Sequence, residues 1–326
     1  MLTFAKPPRY RYNAGFLYIE LLRKRKDRWV EKPYKKGHMY DYCDIAAQSR
    51  IKPVDNSRWR PWHDKFSMYS SLHDFPFVPD TYAISNGRWI HNRRPSNFDK
   101  TYFVKHYQDD GARDTNVVKT IEEAEAHSKK KPKAMYIVQP AIRNLMLYNK
   151  RKFDLRVWVA LVSDGITQVV RFYRYGRIRA SFYEFDPDSD KRGVQLTNHS
   201  VNKHLTKEDT MFEFDPKYQH YAIMFHRMIP CIQAVLDRTA LRLINPKINK
   251  LCWVTGWDFI FDQFMRPYLI EINHGPGCLK TKYMVGFYDA VISSIFEPMG
   301  NGKSISKHPD FVDLYPRNQG PIQYSQ

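Results

Sequence analysis

Apolar and acidic positions alternate along the segment GWDFIFDQFMRPYLIEINHGPG, which spans residues 256–277. This pattern predicts two antiparallel strands whose connecting turn is centred between residues 264 and 265, so that Asp258 lies directly opposite Glu271. Two like charges that face each other across neighbouring strands repel. We therefore expect a positive group between these two carboxylates.

A second alternating segment, KRKFDLRVWVALVS at residues 150–163, predicts one long strand. One face carries Lys152, Asp154, Arg156 and Trp158, and the other carries Phe153, Leu155, Val157 and Val159. A row of ionisable groups can protect the edge of a sheet against aggregation, or it can line a cleft in which Arg156 forms a bidentate contact with phosphate. The pattern alone leaves both interpretations open.

Strands and helices alternate through the rest of the chain. Short strands are predicted for PFVPDTYAI, KTYFVKHY and MYIVQPAI, and TIEEAEAHSKKK predicts a helix that begins with a capping box of Thr120 and Glu123. The segment QHYAIMFHRMIPCIQAVLDRTALRLI predicts a long amphipathic helix that Pro230 kinks or interrupts. YDAVISSIF predicts a short helix, and a tail follows from about Glu297. The fold class is therefore mixed α and β.

Composition narrows the class of protein. With 326 residues, of which 43% are hydrophobic and 15% aromatic, the chain can bury one large core or two modest ones. Its net charge of +18 favours an acidic partner, which nucleic acid, an acidic protein tail or a membrane surface could provide. No apolar run approaches the roughly 20 residues of a membrane span, so we expect a soluble protein.

The cysteines are widely spaced, and no two of them form a CxxC motif. They are Cys43, Cys231, Cys252 and Cys278. This spacing predicts neither a zinc site nor a disulfide framework, and it favours a reducing, intracellular compartment.

Residues 1–60 carry an excess of basic side chains, with 15 Lys and Arg against 6 Asp and Glu. Arginines and aromatic residues are mixed in the segment RYRYNAGFLYIELLRKRKDRW, so we expect a basic N-terminal arm that attaches to a partner. The segment could form a solvated amphipathic helix, or it could contact nucleic acid or an acidic protein. A mitochondrial targeting sequence is a further alternative, because no acidic residue precedes Glu20.

Two carboxylates and an amide converge in the predicted hairpin. Glu271 and Asn273 share one face of the second strand, and Asp258 joins that face from the neighbouring strand. Oxygen ligands of this kind, with no His or Cys beside them, suit Mg²⁺ that is also held by substrate phosphates. The alternative is a solvent-exposed strand face that happens to be acidic.

Several segments of the chain occur in a specific order: TYFVKHY, YIVQPAI, KFDLRVWVALV, YRYGRIRAS, LTNHSVNK and GWDFIFDQFMRPYLIEINHGPG. This order resembles that of the tubulin-tyrosine ligase-like family, and the similarity covers roughly residues 60–295. The resemblance implies an α+β chain with an ATP-grasp fold. The expected division is a basic, aromatic-rich N-terminal arm at 1–60, the N-terminal and central lobes at 61–140, the C-terminal lobe with the metal site at 141–296, and a tail at 297–326.

The resemblance also implies a nucleotide site. Lys105 would hold the α- and β-phosphates, and Gln139 would belong to the hinge strand that lies against the adenine. Lys152 matches a second nucleotide-binding lysine. Thr197 and Asn198 match an element near the ribose and the metal.

The chemistry that the resemblance implies is carboxylate–amine ligation. The implied cleft residues are Asp154, Arg156 and Arg179, and the implied magnesium ligands are Asp258, Glu271 and Asn273. ATP phosphorylates a carboxylate, and the amine of an amino acid then displaces phosphate from the acyl phosphate, while Mg²⁺ offsets the charge of the transferring group. The implied acceptor is an acidic protein tail such as that of tubulin, in the cytoplasm or on the cytoskeleton.

One loop departs from the family pattern. A glycine-rich loop is expected after the first phosphate-binding lysine, but the stretch KHYQDDGARDTNVV retains only Gly111, with Asp114 and Asn116 where glycines are expected. We expect Asp114 to bring a negative charge toward a phosphate and to weaken nucleotide binding.

Two functions therefore stay open at the level of sequence. The first is an active ATP-dependent ligase that modifies an acidic protein tail. The second is a ligase-like scaffold without useful turnover, which binds RNA or a ribonucleoprotein through its basic arm, for example a mitochondrial ribosome or its assembly intermediate.

Overall fold

A computed structural model describes most of the chain. The described residues are 1–6, 13–43, 49–51, 62, 64–96, 101–108, 112–202, 211–213, 220–239, 250–274 and 282–315. They form an N-terminal, a middle and a main β-sheet, with helices packed against each. The mixed α and β class predicted from the sequence is confirmed.

The N-terminal sheet contains parallel strands in the order β2-β1-β3. The strands are β1 (Leu2–Ala5), β2 (Trp29–Glu31) and β3 (Tyr42–Cys43), and helix α1 (Asn13–Lys24) lies between β1 and β2 in the chain. Leu2, Phe4 and Trp29 are buried in the core that this sheet shares with the main sheet.

The described part of residues 1–60 is therefore a packed layer of the fold, and the predicted basic N-terminal arm is not seen there as a separate extension. Its basic charge is partly neutralised inside the molecule. Arg25 and Arg28 contact Glu297 at 3.1 and 2.7 Å, and Arg25 also contacts Asp289 at 2.6 Å. The sequence pattern could not reveal these ion pairs, because their acids lie more than 260 residues away.

The middle sheet is antiparallel, with strand order β5-β4-β8-β6-β7. Its strands are β4 (Tyr82–Ser85), β5 (Arg88–Trp89), β6 (Tyr102–His106), β7 (Thr115–Val118) and β8 (Met135–Pro140). A short 3₁₀ helix (Ile90–Asn92) follows β5. Helix α3 (Ile121–Lys129) packs on one face, and the Glu123 amide donates to Thr120 Oγ1 at 3.1 Å as the capping box predicts.

The main sheet contains the strands that follow, and all of its pairs are antiparallel. They are β9 (Leu147–Tyr148), β10 (Arg151–Ser163), β11 (Gln168–Tyr173), β12 (Arg177–Ala180), β13 (Met211–Glu213), β14 (Leu251–Phe261), β15 (Pro267–Asn273) and β16 (Phe311–Tyr315). Strand β16 pairs with β11, so part of the predicted C-terminal tail is a strand of this sheet.

Strand β10 lies inside the main sheet, because it pairs with β14 along one side and with β11 and β12 along the other. The charged residues of β10 therefore do not serve to protect a sheet edge against aggregation. Phe153, Leu155 and Val157 belong to the same buried core as helix α6 (Tyr221–Thr239). On the other face, Trp158 lies 6.0 Å from Phe287 between ring centroids.

The remaining helices pack against the two faces of the main sheet or lie in the segment that follows β12. They are α2 (Lys65–Leu72), α4 (Arg192–Gln195), α5 (His199–Asn202), α7 (Lys282–Val291), a π-helix (Ile292–Phe296) and α8 (Glu297–Gly300). Helix α6 continues through Pro230, so of the two predicted effects of this proline, a kink or a break, the break is wrong. Among the described residues, no helix combines the length and apolar character that crossing a membrane requires.

Candidate active site

A cleft of about 860 Å³, partly open to solvent, lies between the middle and main sheets. Most of the predicted site residues line it: Lys105, Gln139, Lys152, Asp154, Arg179, Thr197, Asn198, Asp258 and Glu271. The apolar part of its wall includes Pro79, Phe103, Leu145 and Ile270. Segments separated by up to 166 residues, from Lys105 to Glu271, thus bring their polar side chains to one place.

The predicted hairpin register is confirmed where it matters for the site, because Asp258 pairs with Glu271 across β14 and β15. A β-bulge follows Asp258, so that Phe259 pairs with Leu269 and the register shifts by one residue toward the turn. The amide nitrogen of Asn273 lies 3.4 Å from both Asp258 Oδ2 and Glu271 Oε2. The three predicted metal ligands therefore converge.

The positive groups expected near these carboxylates are side chains of the protein. Arg156 makes a bidentate contact with Asp258, in which Nη2 lies 2.8 Å from Oδ2, and Arg179 Nη2 reaches the same oxygen at 2.8 Å. Lys65 Nζ lies 2.7 Å from Glu271 Oε1. Arg156 is absent from the cleft wall itself and acts through Asp258.

The arginines extend the network to a second acid. Arg179 Nε donates to Asp154 Oδ1 at 2.5 Å, and the Thr197 hydroxyl donates to Asp154 Oδ2. Burial raises the pKa of Asp154, and the nearby Asp258 carboxylate raises it further. Burial would also raise the pKa of Asp258, but Arg156 and Arg179 together lower it. Asp258 is therefore the more firmly ionised of the two.

Lys152 is buried and Lys105 is half-buried beside the ring of Phe103, with their ammonium nitrogens 4.3 and 5.7 Å from its centroid. Burial, together with the charge of Lys105, lowers the pKa of Lys152 to about 7. Burial and Lys65 lower the pKa of Lys105 to about 8. Nearby carboxylates offset these shifts only in part, and two ammonium groups beside one ring favour an anionic ligand.

The side chain of Gln139 makes specific hydrogen bonds that the prediction of a hinge strand did not include. Its side chain is buried, its Oε1 accepts from Lys105 Nζ at 2.7 Å, and its Nε2 donates to Thr81 Oγ1 at 2.9 Å. It therefore orients the Lys105 ammonium within the cleft.

Sequence reasoning missed Lys65. The helix start was readable, because Asp64 caps α2 by accepting from the Ser67 amide at 2.8 Å. No pattern, however, indicated that the first residue of this helix would point into the cleft and contact Glu271.

Asp114 does not point toward the cleft, so the expectation that it would oppose a phosphate is wrong. Its carboxylate contacts Lys131 Nζ at 2.7 Å, the Tyr136 hydroxyl at 3.1 Å and His127 Nε2 at 3.3 Å, on the α3 side of the middle sheet. The turn takes its left-handed conformation at Ala112, whose φ is +57°. Thr115, the residue after Asp114, lines the cleft instead.

The predicted magnesium ligands fit the ion by donor chemistry. Asp258 and Glu271 offer carboxylate oxygens from one patch of two paired strands, and Mg²⁺ prefers such a partial set completed by phosphates and water. The side-chain amide of Asn273 turns its nitrogen to both carboxylates, so its oxygen would face the ion after a flip of the amide. Among the described residues, no three His, Cys, Asp or Glu side chains are grouped so that they could hold a metal by themselves.

Comparison with known proteins gives a consistent result. A family model described as the tubulin-tyrosine ligase family matches residues 55–306. The chain is similar to a tubulin glycylase of Tetrahymena thermophila, with 32% identity over 149 residues that cover 41% of this chain and 16% of that protein. It is also similar to a tubulin monoglycylase of Mus musculus, with 30% identity over 43% of this chain and 17% of that protein.

A third relative, named a "Probable tubulin polyglutamylase" of Bos taurus, is 31% identical over 44% of this chain and 34% of that protein. The matched segments thus span about a third or less of these relatives' own lengths.

Proposed function

Because this chain belongs to the tubulin-tyrosine ligase family, we propose that it is an ATP- and Mg²⁺-dependent carboxylate–amine ligase with an ATP-grasp architecture. The terminal phosphoryl group of ATP passes to an acceptor carboxylate, and the amine of an amino acid then displaces phosphate and forms an amide bond. ADP, phosphate and one proton leave.

The observation that carries this proposal is the arrangement of charge in the cleft. Lys105 and Lys152, with lowered pKa values, face one end of the same cavity that holds Asp258 and Glu271 on paired strands. A polyphosphate chain satisfies both lysines at once, since its oxygens restore the protonated state that burial disfavours.

Asp258, Glu271 and Asn273 would hold Mg²⁺, which supplies neutralisation of the phosphate oxygens when bound. Arg156 and Arg179 fix the orientation of the Asp258 carboxylate. Arg179 also holds Asp154, and it lines the cleft, so its guanidinium can face an anionic acceptor or the developing charge on the transferring group. Pro79, Phe103 and Leu145 provide an apolar wall for the base.

The proposed acceptor is an acidic protein segment, with tubulin as the first candidate and a cytoplasmic or cytoskeletal setting. The net charge of +18 would draw such a segment to the surface by long-range attraction. The relatives described above are named for the modification of tubulin, with glycine in two cases and glutamate in the third. Glycine and glutamate are therefore the amino acids to test first.

The RNA-bound scaffold has no observation in its favour. That hypothesis depends on a loop that disfavours phosphate binding and on a basic N-terminal arm that attaches to RNA. Asp114 faces away from the cleft, and the described part of residues 1–60 is packed into the fold.

The test uses purified full-length chain, MgATP, labelled glycine or glutamate, and tubulin. We expect incorporation by the unmodified protein and a loss of more than about 100-fold in Glu271→Gln, because a ligand charge at the phosphates is removed. Glu122→Gln, on the exposed first turn of α3, is the matched control and should keep full activity. Equal incorporation by the two variants would overturn the site assignment.

A further inference from the structure

The turn between β6 and β7 borders the end of the cleft where Lys105 lies. Lys105 pairs with Thr115 across these strands, and both residues line the cavity together with Ala112. Loops that cover phosphates usually rely on glycine, because the backbone must come close to the ligand. Gly111 lies outside the described residues. In the part of the turn that the structure describes, residues 112–115, Ala112 takes a left-handed conformation, so contacts from other segments are needed to stabilise the turn there.

We propose that Arg192 is the residue that holds this turn, and that it thereby positions the part of the cleft that receives phosphate. Arg192 opens α4, a helix that belongs to the segment between β12 and α5, named here the strap (residues 181–198). Its Nη1 donates to the carbonyl oxygen of Thr115 at 2.7 Å, and its Nη2 donates to that of Ala112. One guanidinium group thus joins both ends of the described stretch 112–115.

Apolar packing supports the same contact. Leu196 lies four residues after Arg192 and is buried in a small cluster with Phe103, Ala112 and Val117. Its position brings the strap against the cleft side of the middle sheet beneath the two lysines. The polar and apolar contacts therefore hold the turn from one direction.

The turn is held from the other direction by Asp114. Its carboxylate is bound by Lys131 and Tyr136 on the opposite face of the middle sheet. Charge-assisted hydrogen bonds from side chains thus hold a four-residue stretch of backbone on both sides. They stabilise a turn in which other loops of this kind use glycine.

The strap also reaches the floor of the cleft. Thr197, the residue after Leu196, donates its hydroxyl to Asp154, and the Ser181 amide donates to the Lys152 carbonyl at 2.8 Å. The position of the turn is therefore coupled through one short segment to the Asp154–Arg179 pair. A change at Arg192 acts on the phosphate end of the cleft, although Arg192 itself is not part of the cavity wall.

The first test measures hydrogen exchange of the amides at residues 112–118 in the protein without nucleotide. We expect Arg192→Ala to speed exchange there about tenfold or more relative to Lys191→Ala, the neighbouring exposed lysine that serves as matched control. Arg192→Lys should give an intermediate rate, because one ammonium cannot donate to both carbonyls in the same geometry. Exchange rates equal to the control in both variants would overturn the inference.

The second test measures MgATP binding by calorimetry with the same variants. For this effect the inference rests on the proposed function. We expect Arg192→Ala to raise Kd about tenfold, Arg192→Lys to recover part of the affinity, and Lys191→Ala to bind as the unmodified protein does. Binding by the unmodified protein that Arg192→Ala leaves unchanged would overturn the positioning role. Faster exchange in a protein that never binds MgATP would support the tie and refute the proposed function.

Discussion

Asp258 and Glu271 lie opposite each other on paired strands, yet each carboxylate is neutralised by a different part of the chain. Asp258 is held by Arg156 from β10 and Arg179 from β12, whereas Glu271 is held by Lys65 from α2. The repulsion expected between the acids is thus offset by three cations from three elements. The same residues that form the site also join these elements to one another.

Asp258→Asn should therefore destabilise the protein as well as the site. The substitution leaves the buried guanidinium of Arg156 and the largely buried one of Arg179 with one carboxylate fewer, which we expect to cost about 3 kcal/mol of unfolding free energy. Urea denaturation measures this cost. Asp27→Asn is the control, since Asp27 forms an exposed ion pair with Arg28 and should change stability by less than about 0.5 kcal/mol. Equal midpoints for both variants would mean that the arginines find other partners.

Binding of MgATP should take up protons at pH 8. Lys152, with a pKa of about 7, is mostly neutral at that pH in the free protein, and Lys105, with a pKa of about 8, is about half protonated. Phosphate oxygens would restore both charges, so about one proton or more enters on binding. Calorimetry in buffers of different ionisation enthalpy reports this number as a slope.

The control for that measurement is Lys152→Arg, because arginine stays charged at pH 8 and should lower the uptake by up to about one proton. A slope of zero for the unmodified protein would contradict the predicted role of the lysines. The same lowered pKa values affect folding. Since the unfolded chain binds more protons than the folded one between about pH 7 and the ordinary lysine pKa, these two groups make stability rise with pH in that window.

Lys65→Met should lower stability at neutral pH by about 1–2 kcal/mol, because Glu271 loses its partner while repulsion between Lys65 and Lys105 is relieved. Burial opposes ionisation of Glu271, but Lys65 lowers its pKa below the usual value. The stabilisation by this pair is therefore present above the ordinary glutamate pKa and is lost as pH falls through the lowered one.

Denaturation at pH 7 and near pH 4 tests this prediction. The difference between Lys65→Met and the unmodified protein should shrink toward the lower pH. Lys303→Met, an exposed lysine, should show no difference at either pH. A penalty for Lys65→Met that does not depend on pH would show that packing of its methylene groups, and not the ion pair, accounts for the effect.

The sequence was sufficient for features that depend on alternation along a strand. The pairing of Asp258 with Glu271 followed from the symmetry of a turn, and the polar face of β10 followed from its period of two. The β-bulge after Asp258 could not be foreseen, because nothing in the local pattern marks the extra residue. The turn is centred on residue 264, half a residue before the predicted centre, and the bulge brings Asp258 opposite Glu271 despite this shift.

Features that depend on distant partners were out of reach. The direction of Asp114 is set by Lys131 and Tyr136, and that of Lys65 by Glu271, so charge and position alone suggested the wrong surroundings for the first and none for the second. The excess of basic residues among the first 60 positions predicts an N-terminal arm. Their described part folds because Phe4 and Trp29 find apolar partners at the other end of the chain.

Strand β10 carries the floor of the cleft and the centre of the protein on the same face. On this face, where every second residue lies, the polar positions are followed by Trp158, Ala160 and Val162. These three residues are buried against α7 and the N-terminal sheet. Along β10, the site and the core are therefore continuous within one strand. Activity and foldability cannot vary independently along this strand, and any redesign of the cleft is also a redesign of the interior.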